Sequence, residues 1–195
     1  MGINHRISSR MECNIFNNEP AVITVGSFDG VHSGHQALFK EMNLYAKKHN
    51  CKTVVITFNP HPQEVLQNKP NFFLINSFDQ ILQLFEKFNI DFVSVIPFSK
   101  EFSQKKPKLF FTEDILAKLN VKAIFMGPNH HFGKQREGDA DTLTRLCKEN
   151  NIELIITPEY KIDGVEVRST LIRKYLTQKN WHYAEKLMGH NIYNR

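Results

Sequence analysis

Short apolar runs rich in β-branched residues alternate along the chain with longer stretches whose apolar positions recur every three or four residues. Five of the short runs read as strands: AVITVG (21–26), CKTVVITF (51–58), DFVSVIPF (91–98), KAIFMG (122–127) and IELIIT (152–157). Helical spacing fills the intervals. Leu38, Phe39, Met42 and Ala46 share one face of a helix over 35–49, and FDQILQLFEKF predicts an amphipathic helix at 78–88, capped by Ser77 or Asp79. A third helix, over 107–120, takes Pro107 into its first turn, and a fourth runs from 139 to 151. Asp163-Gly164 marks a hairpin within 159–167, and helices at 169–178 and 181–188 close the chain.

This alternation implies an α/β fold: a doubly wound, Rossmann-like parallel sheet of five strands, with helices on both faces and right-handed crossovers. Residues 21–189 are expected to form one domain, with a loosely ordered leader over 1–20 and a tail over 190–195. In the commonest strand order the first and fourth strands are neighbours. The loops leaving their carboxyl ends then face one crevice, where such sheets bind ligands. Those loops are GSFDGVHSGH (26–35) and GPNHHFGKQREGD (127–139), the two most unusual polar stretches of the sequence.

Composition narrows the setting. The 195 residues are 41% hydrophobic, enough for one core, and no apolar run is long enough for a membrane helix. Residues 1–20 lack the apolar segment of a secretory signal. Cys13, Cys51 and Cys147 are widely spaced with no CxxC pair, which fits a reducing cytoplasm and argues against a zinc site or a disulfide framework. The net charge of +5 favours an anionic partner. The one lysine cluster, SQKKPK (103–108), reads as a solvated loop, and no basic stripe with interleaved aromatics suggests nucleic acid.

Candidate chemistry gathers in four stretches. In the first, Gly26, Gly30 and Gly34 allow tight turns and close approach of backbone to a ligand, and a helix opens beside His32 and His35. Its free N–H groups favour an anion. A capping histidine and a surface histidine are the plainer alternative, and zinc lacks a third ligand nearby. TFNPHP (57–62) presents Phe58 on a loop that two prolines stiffen, or is simply a rigid turn. The loop at 127–139 holds Asn129, His131, Phe132, Lys134, Arg136 and Asp139, and is either a binding or a solvated basic loop. In VRSTLIRKYL, Ser169 and Thr170 open a helix with Arg173 one turn on, either a second anion pocket or an ordinary cap.

Together and in this order, GSFDGVHSGH, TFNPHP, GPNHHFGKQREGD and RSTLIR resemble the FMN adenylyltransferase module of bacterial bifunctional riboflavin kinase/FAD synthetases, nucleotidyltransferases with an HxGH motif. VIPFSKEFS and AEKLMGHNIY are similar to that module too, so the resemblance runs from about residue 20 to the end. Ser27, His130, His131, Arg168 and Leu171 depart from the family's usual residues. The resemblance implies transfer of AMP from ATP to FMN, giving FAD and pyrophosphate, with Mg²⁺ accompanying ATP and no metal held by protein ligands alone. It implies catalytic roles for His32, His35, Asn129 and Arg173. It assigns nucleotide binding to Gly26, Phe28, Asp29, Gly30, Gly34, Gly127, Ser169 and Thr170, and flavin packing to Phe58, Pro60, His61 and Phe132. Ser169, Thr170 and Arg173 would take the leaving pyrophosphate. Nothing after residue 189 corresponds to the family's β-barrel kinase module, so FMN is expected to be used but not made from riboflavin. Another HxGH transferase acting on a pantetheine or nicotinamide nucleotide, and a non-catalytic flavin- or nucleotide-binding module, are the rival readings.

Overall fold

The computed structural model describes residues 19–66 and 72–192, and the backbone alone of 6–9. All five expected strands form: β2 (Pro20–Val25), β3 (Lys52–Asn59), β4 (Phe92–Pro97), β5 (Asn120–Met126) and β6 (Glu153–Ile156). They pair in parallel, in the order β4-β3-β2-β5-β6. Successive side chains on a strand point to opposite faces, and here both faces are covered, which is why the strands read as unbroken apolar runs. Ala21, Ile23, Val54 and Ile56 enter one core with Phe110, Phe111, Ile115, Leu143 and Leu146. Their neighbours Val22 and Val55 enter the other with Phe39, Met42, Ile81, Leu84 and Phe85. Each fully buried Val, Leu, Ile or Phe contributes about 1.5–3 kcal/mol.

The first face is covered by α4 (Pro107–Leu109), the π-helical turn it runs into (Phe110–Leu116), and α5 (Ala140–Glu149). The second is covered by α1 (Ser33–His49) and α3 (Phe78–Lys87). A five-residue helix, α2 (Pro62–Leu66), follows β3. After β6 comes the expected hairpin, β7 (Lys161–Ile162) and β8 (Val165–Glu166), then α6 (Ser169–Thr177) and α7 (Trp181–Met188). These last helices build a satellite core from Val167, Ile172, Leu176, Leu187 and Met188 with Ile75 and Ile192.

Four expectations need correction. Arg6–Ser9 forms a sixth strand, β1, parallel to β4 at the sheet edge. Part of the leader therefore belongs to the sheet; its remainder up to residue 18, with Cys13, lies outside the described residues. The stretch expected as a tail packs, since His190 and Ile192 are buried; 193–195 lie outside the described residues. The helix expected over 107–120 is α-helical only over Pro107–Leu109, continues as a π-helical turn to Leu116, and gives way to β5 at Asn120. The SQKKPK stretch is anchored rather than simply solvated. Lys105 pairs with buried Asp114 and with Glu113, and its carbonyl accepts the N–H of Lys134.

β2 lies between β3 and β5 and is the strand from which the connections diverge. The loops after β2 and after β5 therefore leave adjacent strands at the same sheet edge, as a switch point requires.

Candidate active site

The backbone bends sharply after β2. Phe28 (φ 48°) and Val31 (φ 40°) both lie in the left-handed region, as does Gly30 (φ 84°). A β-branched residue seldom adopts that conformation, and each such residue costs on the order of 1–3 kcal/mol unless its surroundings fix it. Packing fixes these: Val31 is fully buried, and the Phe28 ring sits among Phe39, Phe85 and His35. The turn delivers His32 to the N-cap of α1 and His35 to its first turn.

The two imidazoles are stacked, with ring centroids 3.6 Å apart and an interplanar angle of 16°. His32 is buried, and Nδ1 of each ring is buried with no hydrogen-bond partner. Gly34 makes room for the arrangement, because a Cβ there would stand 3.3 Å from the His32 ring. Burial, the largest cause, lowers the His32 pKa to about 4. Burial and the adjoining His32 hold His35 well below the ordinary range. Both rings are therefore neutral near pH 7, each with one N–H to give.

These rings border a cavity of about 270 Å³ lined by the ends of three strands: Thr24 to Asp29 after β2, Gly127 to His130 after β5, and Thr157 to Tyr160 after β6. Glu166, Val167 and Ser169 close it. Of the five helices with eight or more residues among those described, α3, α5 and α7 are capped by Ser77, Asp139 and Asn180. Ser77 forms a full capping box with Gln80. The N-caps of α1 (His32) and α6 (Arg168) make no such bond. These two helices begin at the cavity, and their unsatisfied N–H groups and positive dipole ends are left for an anion.

Nine of the expected site residues meet here: His32, His35, Asn129, Gly26, Phe28, Asp29, Gly34, Gly127 and Ser169 all line the cavity. Gly127 faces open space. Asn129 donates through Nδ2 to Glu166 Oε1 at 3.1 Å, and Glu166 is also ion-paired with Arg168. Gly30, Thr170 and Arg173 do not line it. Arg173 is ion-paired with buried Asp29, donates through Nε to the Phe73 carbonyl (2.8 Å) and lies over the Phe72 ring. Asp29 also accepts the N–H of Ile75 (3.0 Å). Burial pushes the Asp29 carboxyl up and the Arg173 guanidinium down, each opposed by the other's charge. The second anion pocket expected around Arg173 is thus a buried ion pair beneath the loop.

Phe58 belongs to an aromatic cluster with Phe98 (5.6 Å), Phe102 and Phe110, and Phe132 approaches Phe110 at 6.1 Å. A small apolar cleft beside Val25 and His130, residues it shares with the main cavity, is lined by Phe110, Phe132 and Met126. His61 stands apart from this cluster, stacked on Phe72, and Pro60 follows a cis peptide bond. The sequence pattern missed Phe98, Phe102 and Phe110, which reach the cluster from separate elements. It also missed Thr157 to Tyr160, although their position after a strand's carboxyl end was a usable signal.

The neutral histidines carry a pH prediction. The ordinary histidine pKa is 6.5, and His32 falls to about 4 in the fold. Between these values the unfolded chain binds more protons, so stability is lost as pH falls from 6.5 towards 4, by up to about 1.4 kcal/mol per pH unit per histidine. Urea unfolding across this range is expected to show the decline, and His32→Gln to reduce it. Equal pH slopes for the two proteins would contradict the buried neutral state.

Comparison with known proteins places these features in context. The FAD synthetase family matches residues 15–171. A bifunctional riboflavin kinase/FMN adenylyltransferase of Buchnera aphidicola is 33% identical over 173 residues, spanning 88% of this chain and 55% of that protein. An FAD synthetase of Listeria monocytogenes is 32% identical over 89% of this chain and 70% of its own length. The crystal structure of a macrolide-efflux protein from Streptococcus pneumoniae superposes with a TM-score of 0.79 at 28% identity, over 90% of this chain and 57% of that one. Among the described residues no helix is long and apolar enough to cross a membrane. The chain spans about half the length of the bifunctional relatives it matches.

Proposed function

Because the chain belongs to the FAD synthetase family, we propose that it transfers the adenylyl group of ATP to FMN, forming FAD and releasing pyrophosphate. The observation that carries this reading is the stacked, neutral His32–His35 pair at the uncapped start of α1, facing a cavity that adjoins an aromatic cleft. An FMN phosphate oxygen attacks the α-phosphorus of ATP, the bond from that phosphorus to the bridging oxygen breaks, and pyrophosphate leaves. The attacking oxygen is already anionic and pyrophosphate is a stable anion, so neither a general base nor a general acid is needed. Positioning and charge stabilisation supply the catalysis. Histidines with such low proton affinity are poor bases at pH 7 but sound neutral donors, and His32 and His35 act as donors to the transferring phosphoryl oxygens.

The N–H groups opening α1 and α6, with Ser169 and Asn129, hold the remaining phosphate oxygens. Phe58 and Phe132 pack on the isoalloxazine ring. Arg173, through Asp29, acts as a positioning residue for the loop. No three His, Cys, Asp or Glu side chains converge on a metal among the described residues. Glu159 and Glu166 at the cavity are already paired with Lys161 and Arg168. Mg²⁺ is taken to accompany ATP as part of the substrate, since it binds largely through substrate phosphates in such sites.

The test offers FMN, nicotinamide mononucleotide and phosphopantetheine separately with ATP and Mg²⁺, and follows pyrophosphate release. Release with FMN alone is expected. Release only with one of the others would assign a different acceptor.

A further inference from the structure

Glu166 sets a carboxylate against a cavity that the rest of the site shapes for phosphate. Both of its oxygens are engaged. Oε1 accepts Asn129 Nδ2 at 3.1 Å, and Oε2 accepts Nη2 of Arg168, the N-cap of α6. The Arg168 hydrogen bond, foremost, holds the carboxyl below its ordinary range, so the side chain is an anion that only accepts. Chemistry therefore decides which end of the Asn129 amide faces it: the nitrogen, not the oxygen. We propose that Glu166 is a positioning residue for adenylyl transfer, holding the Asn129 amide nitrogen-first at the cavity.

The amide needs such a partner. Asn129 lies on the loop after β5, and its side chain ends in a donor and an acceptor of nearly equal size. Turned oxygen-first, it would set the negative end of its dipole against the phosphates. Turned nitrogen-first, it donates to them. Nδ2 carries two N–H bonds. One is committed to Glu166, and because Asn129 and Glu166 border the same cavity, the other is left for a phosphate oxygen.

The carboxylate stands on a braced support. Asp163 (φ 52°) and Gly164 (φ 77°) take the left-handed conformations of a type I′ hairpin turn. Lys161 pairs with Glu166 across β7 and β8, and the Val167 N–H extends this ladder by donating to the Tyr160 carbonyl at 2.9 Å. The Asp163–Lys186 ion pair ties the tip to α7, and Ile162 packs on the satellite core. The charge of Glu166 is balanced on the spot. Arg168 pairs with it and Lys161 pairs with Glu159, so these side chains sum to zero and leave the attraction for phosphate to the helix ends.

The positioning role rests on the proposed adenylyl transfer; the contact does not. The contact is read from the side-chain amide ¹H and ¹⁵N resonances of Asn129 in the full chain, assigned by their loss in Asn129→Ala. Glu166→Ala is expected to shift them and to speed exchange of their protons with solvent. Unchanged resonances would overturn the proposal. The role is read from a double-mutant cycle in FAD formation. Glu166→Ala is expected to lower kcat about tenfold, since a small misplacement of a group at the reacting centre costs at least that much. The KM for ATP should not rise, because the change takes a negative charge from the cavity. In an Asn129→Ala background the same change should cost less than about twofold, as no amide is left to orient. Equal losses in the two backgrounds, or a raised KM with kcat intact, would overturn the positioning role. If wild type forms no FAD at all, the function fails and the amide resonances still decide whether the contact forms.

Discussion

His32→Ala and His35→Ala are each expected to lower the rate of FAD formation by about a hundredfold or more, the usual effect of deleting one preorganised donor to a developing charge. Stability should change little, because the aromatic stacking lost with either ring contributes only about 0.5–1.5 kcal/mol. The rings are stacked at 3.6 Å, so each orients the other. The double variant should therefore be scarcely slower than either single one, as for residues that act as a unit. Steady-state kcat beside thermal unfolding checks this. Near-normal turnover in both single variants would remove the histidines from the chemistry.

Arg173→Ala is expected to act chiefly on stability. Asp29 and Arg173 have side chains 2% and 13% exposed, and taking the arginine away leaves a buried carboxylate without its counter-charge. Breaking a buried pair in this way costs about 3–5 kcal/mol. The loss should fall on the turn that Asp29 anchors, so ATP use declines along with stability. Replacing both partners, Asp29→Asn with Arg173→Met, should recover much of the stability, because desolvation opposes the charged form of each partner. Denaturant midpoints of the single and double variants test this. A single variant as stable as wild type would mean that Arg173 is free to serve a ligand instead.

The sheet was legible because its strands are buried on both faces and read as apolar runs, and because HxGH marks a strand-to-helix loop. The edge strand Arg6–Ser9 was not, since RISS has no apolar run and forms only beside β4. The histidines and Ser169 line the cavity because short spacing fixes them to helix starts. Arg173 misled because its spacing puts it near the right helix end but says nothing of Asp29, 144 residues away in sequence. The contact of His190 with the loop left no signal in periodicity, although the residue lies in the AEKLMGHNIY stretch. Its Nε2 meets the Gly30 carbonyl, 160 residues distant. Long-range pairing of polar groups to backbone has no period, so only the fold reveals it.

The central claim is that the α-phosphorus of ATP passes to FMN at the His32–His35 site. The most direct measurement supplies the protein with FMN, Mg²⁺ and ATP labelled at either the α- or the γ-phosphorus, and separates the products. The α label should appear in FAD and the γ label in pyrophosphate, with both transfers suppressed in His32→Ala. Label from the γ-phosphorus in the flavin fraction, or no labelled flavin from a demonstrably folded protein, would contradict the account.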